Sequence, residues 1–479
     1  MSSRTRTAPG ITFTVLALAA ASFTLLQSLI NPVLPTIQRE LATTQSTVTW
    51  VLTGWLLSAA IATPLLGRIG DMVGKRRTFL IALAAIAVGN LVAALAPTIG
   101  VLIAARVIQG LGGAIFPLAF GIVRDEFPRE RVASAVGAIS AIIAVGGGLG
   151  VVLAGPIVGG LGWRWLFWIP MIVTTVVGIL AFLLVPESPA RAGGRINWAG
   201  AGLLAGWLVA LLLPLSEAHV WGWGSPLVIA LFALAAILIA LWIVVEYRSD
   251  NPVIDMRMMR LPGVWTVNLV ALLFGAGMFS TYAFLPQFTQ TPTSTGYGFG
   301  ASVTVSGLLL LPMLVTMAIA GFLSGPLAPV LSFKAQLAVG SAVIALSAVL
   351  FVFVHSAPWQ VAATSGLFGL GLGVAYSAMS SLIVQAVPAH QTGAASGMSV
   401  NVRTIGGAIG TAIFSTIVTS HLDSTGLPLE SGYTDGFIVL AAFTIAAAVV
   451  ALLVPSVRRM PAAVGPEPEL DLRVPAEVG

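Results

Sequence analysis

The chain has 479 residues, 57% of them hydrophobic and 8% charged, where a water-soluble globular chain carries roughly a quarter charged. That balance excludes a soluble fold, because no interior of this size hides so much apolar surface. The formal net charge is +5, from 22 Lys and Arg against 17 Asp and Glu, and the absence of cysteine excludes disulfides and thiolate metal sites.

Apolar runs of about twenty residues each, the length that spans a bilayer as helix, follow one another along the whole chain. They begin near Ile11, Val48, Thr78, Ile99, Val132, Trp165, Trp198, Pro226, Val264, Ala301, Ala335, Pro358, Ala394 and Asp435. The first run follows Arg4 and Arg6, as in a signal peptide, but it continues to Ile30 and meets Asn31 and Pro32 instead of a small-residue cleavage site. An uncleaved first helix is therefore expected. The chain reads as an all-α membrane protein of fourteen transmembrane helices.

Among the odd loops only Arg39 and Arg164 are basic. The even loops hold Arg68, Lys75, Arg76, Arg77, Arg124, Arg129, Arg131, Arg191, Arg195, Arg248, Arg257, Arg260 and Lys334, and Arg458 and Arg459 follow the last span. This asymmetry predicts a multi-pass protein of the cytoplasmic membrane with both termini cytoplasmic. It also accounts for the basic balance, so nucleic acid is not an expected partner.

The runs group as two six-helix bundles with an inserted two-helix hairpin. Residues 1–10 are the cytoplasmic N-terminus and 11–185 the first bundle. Residues 186–197, rich in Pro, Gly and Arg, form a cytoplasmic linker. The hairpin occupies 198–246, its first span ending near Leu215 and its outer turn holding Trp221 and Trp223. A second linker, 247–263, leads into the second bundle at 264–456. Residues 457–479 lack any apolar period and are expected to be a disordered cytoplasmic tail.

Between the second and third spans stands Gly67-Arg68-Ile69-Gly70-Asp71-Met72-Val73-Gly74-Lys75-Arg76-Arg77. Glycines there allow a tight turn, and an acid among bases can pair with cations or cap a helix N-terminus. The fourth span carries Leu102, Arg106, Gln109, Gly110, Gly112 and Ala114. The fifth carries Gly146, Gly147, Gly148 and Gly150, followed by Gly155-Pro156-Ile157-Val158-Gly159-Gly160.

In spelling and position these three stretches resemble the signature loop, the fourth-helix pattern and the glycine-proline antiporter motif of the major facilitator superfamily. With fourteen spans, the chain is most similar to the superfamily's drug:proton antiporter branch. The resemblance covers the membrane region, with its specific motifs concentrated in the first half. It implies a secondary active transporter that exports amphiphilic organic compounds such as drugs, antibiotics or lipids by alternating access. It also implies a gating and coupling role for Gly67, Asp71, Gly74, Lys75, Arg76 and Arg77, and for Gly155, Pro156, Gly159 and Gly160.

One stretch departs from the pattern. Relatives in that branch usually carry an aspartate in the first helix, within leucine-aspartate-x-threonine and on to asparagine and leucine-proline. Here Leu26, Asn31, Leu34 and Pro35 fit, but Gln27 replaces the aspartate. Glutamine does not exchange a proton, so proton coupling is expected to be weak or absent. Asp71, Asp125, Glu126, Glu246 and Asp435, near the membrane faces, remain as titratable candidates.

Arg106 lies about 10 Å from the outer end of its span and Arg403 roughly 13 Å from the cytoplasmic end of its own, at a rise of 1.5 Å per residue. Charges at such depth are expected to face a cavity or a partner. No acid is expected at the centre of a span, so the cavity should favour neutral or anionic amphiphiles over quaternary ammonium compounds. Its candidate residues are Gln27, Asn31, Arg106, Gln109, Phe116, Asn268, Tyr282, Asn401 and Arg403, with Gln287, Trp55, Phe274, Phe279 and Tyr376 beside them.

The four histidines show no metal spacing, and Gly369, Gly371 and Gly373 lack the lysine of a phosphate loop. No cofactor, ATP site or enzymatic activity is expected. The expected partners are a small amphiphilic substrate and the lipid bilayer, with the chain acting as a monomer. An anion or lipid transporter without proton coupling is the alternative of the same class, and a non-transporting membrane sensor or scaffold the alternative of another.

Overall fold

The computed structural model describes residues 9–187, 195–423 and 427–455. The tail 457–479, most of the 186–197 linker and most of the 1–10 segment lie outside the described residues. Among the described residues, fourteen helices are long and apolar enough to cross a membrane. In the first half they are α1 (Pro9–Leu29), α2 (Gln45–Val73), α3 (Lys75–Ala94), α4 (Ile99–Glu126), α5 (Arg129–Leu161) and α6 (Trp165–Leu184). The hairpin is α7 (Trp198–Trp221) and α8 (Pro226–Arg248). The second half comprises α9 (Pro262–Gln290), α10 (Val303–Leu327), α11 (Phe333–Phe353), α12 (Pro358–Ala386), α13 (Thr392–Ser420) and α14 (Glu430–Leu453).

Helix is the form in which a single segment satisfies its own backbone in hydrocarbon. Prolines at Pro64, Pro156, Pro214 and Pro286 sit inside helices without ending them. α4 is interrupted by a 3₁₀ turn, Leu111–Ala114, where Gly110, Gly112 and Gly113 press against α2 and α3.

The two six-helix groups repeat one packing scheme. In the first, α1 packs on α5 and α6, α2 on α4, and α3 on α4 and α6. In the second, α9 packs on α13 and α14, α10 on α12, and α11 on α12 and α14. Displacing every helix by eight positions turns one list into the other, the signature of an internal repeat. The groups meet along two seams, α2 against α13 and α5 against α10 and α12. α7 lies on both α2 and α13, while α8 packs on α7 and leaves most of its surface to lipid. Glu246 at the end of α8 accepts the Ile254 N–H at 3.1 Å, which ties the second linker to the hairpin.

α7 runs on through Pro214 to Trp221, one and a half turns past the end expected near Leu215. A proline followed by Leu-Ser-Glu reads as a span end. The helix continues because Pro214 is tolerated within it, and Glu217 is thereby carried into a membrane helix.

Small residues set the helix spacing. A Cβ on Gly340 of α11 would stand 2.8 Å from the Ala375 nitrogen and 2.9 Å from the Gly371 carbonyl of α12. Gly340→Val is expected to destabilise the protein by about 1–3 kcal/mol through overpacking. Gly178→Ala, with nothing within 4 Å of the added carbon, should not. Thermal unfolding of the two variants in detergent checks the contrast.

Candidate functional site: a gate and a cavity

On the face that carries the Gly67–Arg77 loop the two halves are in contact. Gly67 faces Gly393 so closely that an added Cβ would stand 2.8 Å from the Gly393 carbonyl oxygen. The first turn of α13 has N–H groups with no partner in their own helix, and the Ala394 N–H donates to Asp71 Oδ2 at 3.3 Å. Lys75 Nζ lies 3.8 Å from Asp71 Oδ1 and 2.6 Å from Asp125 Oδ2. The Asp71 and Lys75 side chains are fully enclosed. Arg124 completes the junction, donating to the Val384 carbonyl at 2.6 Å and to the Thr392 hydroxyl at 2.8 Å.

The remaining loop residues serve the first half. Gly74 has φ +135°, a conformation that favours glycine, and faces the Glu187 carboxylate. Glu187 accepts the Arg76 N–H at 3.2 Å and lies 3.9 Å from Arg77. The Arg76 guanidinium donates to the Phe182 carbonyl and covers the Phe182 ring. Sequence reasoning does not single out Arg124, Asp125 and Thr392 as a junction; the charged run Arg124-Asp125-Glu126 at the end of α4 is the available signal.

Away from this contact a cavity of about 540 Å³ opens between the halves. Gln27, Phe116, Tyr282, Asn401 and Arg403 line it, together with Trp55, Phe279, Tyr376 and Gln287. Its wall reaches Pro32, Gln290 and Gly307, at the ends of α1, α9 and α10 farthest from that contact. Arg403 is 6% exposed, stands 4.3 Å from the Tyr376 ring centroid and has no ion pair among the described residues. Among the described residues, Arg403 is the charged residue of the lining, and no carboxylate belongs to it. Asn401 Nδ2 donates to the Ala60 carbonyl at 2.6 Å, joining α13 to α2 across the cavity floor.

Four expected cavity residues lie elsewhere, one of them Phe274, which is buried against Tyr376 with the ring centroids 6.0 Å apart. Arg106 is 0% exposed, in the regular helical stretch of α4 that precedes the 3₁₀ turn, and it is bonded toward α2 and α3 instead of lining the cavity. It donates to the Val51 carbonyl at 3.1 Å and to Gln109 Oε1 at 2.7 Å, and its guanidinium is 5.4 Å from the Trp55 ring centroid. Gln109 in turn donates to Asn90 Oδ1 at 3.0 Å. Arg106 and Gln109 thus back the wall through Trp55. Asn268 is buried six residues into α9, below the cavity, which along that helix begins at Met278. The Asn31 side chain lies outside the described residues.

The fifth helix divides in two. Gly146 and Gly150 admit Thr24 and Ser28 of α1, and Gly148 admits Leu314 of α10. At Gly159 and Gly160 an added Cβ would meet nothing within 4 Å, and Pro156 is exposed. Close packing therefore belongs to the glycines before Gly155-Pro156, and not to the pair after it.

A family model described as Major Facilitator Superfamily matches residues 16–196 and 188–411. The chain belongs to the major facilitator superfamily, a family of membrane transporters and not of enzymes. It is 29% identical over 412 residues to the multidrug resistance protein Stp of Mycobacterium tuberculosis, covering 85% of this chain and 75% of that one. It is 28% identical over 424 residues to the methylenomycin A resistance protein of Streptomyces coelicolor, covering 86% of each. The tetracenomycin C resistance and export protein of Streptomyces glaucescens is 28% identical over 406 residues, covering 81% of this chain and 72% of that one. Among solved structures, the human organic anion transporter MFSD10 superposes with a TM-score of 0.64 at 16% identity, over 92% of this chain and 99% of that one, a likeness of fold.

Asp71→Asn removes the charge that α13 and Lys75 both answer, a contribution of about 1–2 kcal/mol. The gate should then open roughly 5- to 30-fold more often. In the cysteine-free chain, Ser396→Cys, buried beside the gate, should be labelled faster in that proportion when combined with Asp71→Asn. An unchanged labelling rate removes the gate role.

Proposed function

We propose that the protein exports amphiphilic organic compounds, neutral or anionic, across the cytoplasmic membrane, with both termini in the cytoplasm and a single chain as the working unit. Basic residues concentrated on one set of loops support that orientation. The gate then lies on the cytoplasmic side and the cavity opens outward. Relatives named for multidrug resistance and for resistance to methylenomycin A and tetracenomycin C support export of such compounds.

The observation that carries the charge preference is the cavity lining. A cation placed there meets Arg403 and no carboxylate, so no opposite charge repays its lost hydration. An anion meets the guanidinium, with Gln27, Gln287 and Asn401 offering amide donors. Aromatic walls from Trp55, Phe116, Phe279 and Tyr282 suit the apolar part of an amphiphile. Gln27 stands where a proton carrier is usual in the branch, so protons do not couple to transport through this part of the cavity.

Purified protein in vesicles, given a panel of cationic, neutral and anionic lipophiles with and without a pH gradient, tests the reading. Transport of neutral or anionic members is expected, and a ranking led by quaternary ammonium compounds overturns it. Arg403→Ala should weaken binding of anions by roughly 10- to 100-fold, the range of a hydrogen bond to a charged group, and spare neutral compounds. Gln27→Asp, which places a carboxyl in the cavity, should introduce pH dependence into transport.

A further inference from the structure

Pro64 lies in the interior of α2 and has no N–H. In a regular helix that N–H would hold the carbonyl four residues back, so the proline leaves the Ala60 carbonyl without its ordinary partner. A carbonyl freed in this way inside a membrane helix is satisfied from a neighbouring helix or a side chain. The Thr63 hydroxyl, one residue before the proline, is committed to the Ala59 carbonyl at 2.6 Å. Ala60 is answered from the other half, by Asn401 Nδ2 of α13 at 2.6 Å.

This bond is the last step of a ladder. Gly393, Gly397 and Asn401 stand four residues apart and share one face of α13. They meet Gly67, Pro64 and Ala60 of α2 in turn. At the first two steps glycine lets the backbones approach: an added Cβ on Gly393 would stand 2.8 Å from the Gly67 carbonyl oxygen, and one on Gly397 2.9 Å from the Pro64 Cα. The third step carries a side chain, and it is a donor. Asp71 holds the first turn of the ladder at Ala394, and Asn401 holds its end, roughly 10 Å farther along α13 at 1.5 Å per residue. Ala60 and Asn401 both belong to the cavity lining, so the bond lies where the closed contact ends and the cavity begins.

Building on the alternating-access reading above, we propose that Pro64 and Asn401 form a second lock of the gate, at the cavity floor. The proline makes the Ala60 carbonyl available to the other half, and Asn401 is the positioning residue that takes it. A carbonyl held by its own helix would contribute nothing to the contact between the halves. One held across the seam favours the closed state, and when the halves part both groups pass to water, so the lock is modest and reversible.

The chain has no cysteine, so Ser396→Cys, buried beside the gate, reports opening by its rate of reaction with a maleimide. The protein is full-length, in lipid nanodiscs and without substrate. Asn401→Leu should raise that rate roughly 2- to 10-fold, the range of one hydrogen bond. Asn401→Ser, polar but too short for the bond, should do the same and guards against a misfolded leucine variant. Pro64→Ala supplies the N–H that takes the Ala60 carbonyl within α2, and in that background the Asn401 changes should add nothing. An unchanged rate in the Asn401 variants, or an equal rise with and without Pro64, overturns the lock. Asp71→Asn, measured beside them, separates the lock from the reading beneath it. If Asp71→Asn raises the rate and the Asn401 variants do not, the lock alone falls; if it too leaves the rate unchanged, the alternating-access reading falls as well.

Discussion

The bond from the Ala394 N–H to Asp71 is the contact on which the arrangement of the two halves turns. The first turn of α13 points its unpaired N–H groups at the other half, in a place where no solvent reaches them. Asp71 answers one of these groups and brings a charge that itself needs an answer. Lys75 supplies it and is shared with Asp125, while Arg124 answers the Val384 carbonyl and the Thr392 hydroxyl from the second half. Asp71 and Arg124 of one half are thus completed by dipoles of the other, and the halves are closed on this face and open at the opposite one. Glycine at Gly67, Gly121 and Gly393 follows from the same contact. A side chain at any of them would enter the space held by the Gly393 carbonyl, the Lys75 stem or the Asp71 carboxylate.

Away from this junction, two arginines inside membrane helices have opposite settings. Arg106 is enclosed by Val51, Gln109 and Trp55, so its field reaches the cavity only through an aromatic wall. Arg403 reaches the cavity itself, its guanidinium over the Tyr376 ring. Arg106 lies on the face of α4 bonded toward α2 and α3, while Arg403 lies on the face of α13 that meets the cavity, where Gly275 of α9 lets its backbone approach closely.

Much of this was legible in the sequence, because the membrane imposes a length and a polarity on every span. The fourteen helices and the three motif-bearing stretches could be read from apolar runs and spelling. Which face of a helix a polar residue takes could not. Arg106, Gln109 and Asn268 look alike in sequence to Arg403 and Gln27, and only the packing of α4 and the starting height of α9 separate them. Glu217 was hidden for a different reason. Pro214, Ser216 and Glu217 carry the composition of a loop, and the helix persists through them because its neighbours, not its own propensity, decide where it ends.

The repeat makes the two seams between the halves equivalent, yet they are built differently. Along α5 and α10 the backbones approach over most of their length. Gly307 meets Val152, Gly148 meets Leu314, Gly321 meets Ala141 and Gly325 meets Ser134. Small-residue packing of this kind seals a seam against lipid while allowing the helices to tilt on one another. Along α2 and α13 the close approach is confined to the gate end, where Gly67 meets Gly393 and Gly397 meets Pro64. Farther along, α7 covers that seam and is bonded to α2 through Glu217 and Thr53. The inserted hairpin therefore supplies, on one side only, the closure that glycine supplies on the other. This gives a fourteen-helix chain a physical asymmetry that two six-helix repeats alone would lack.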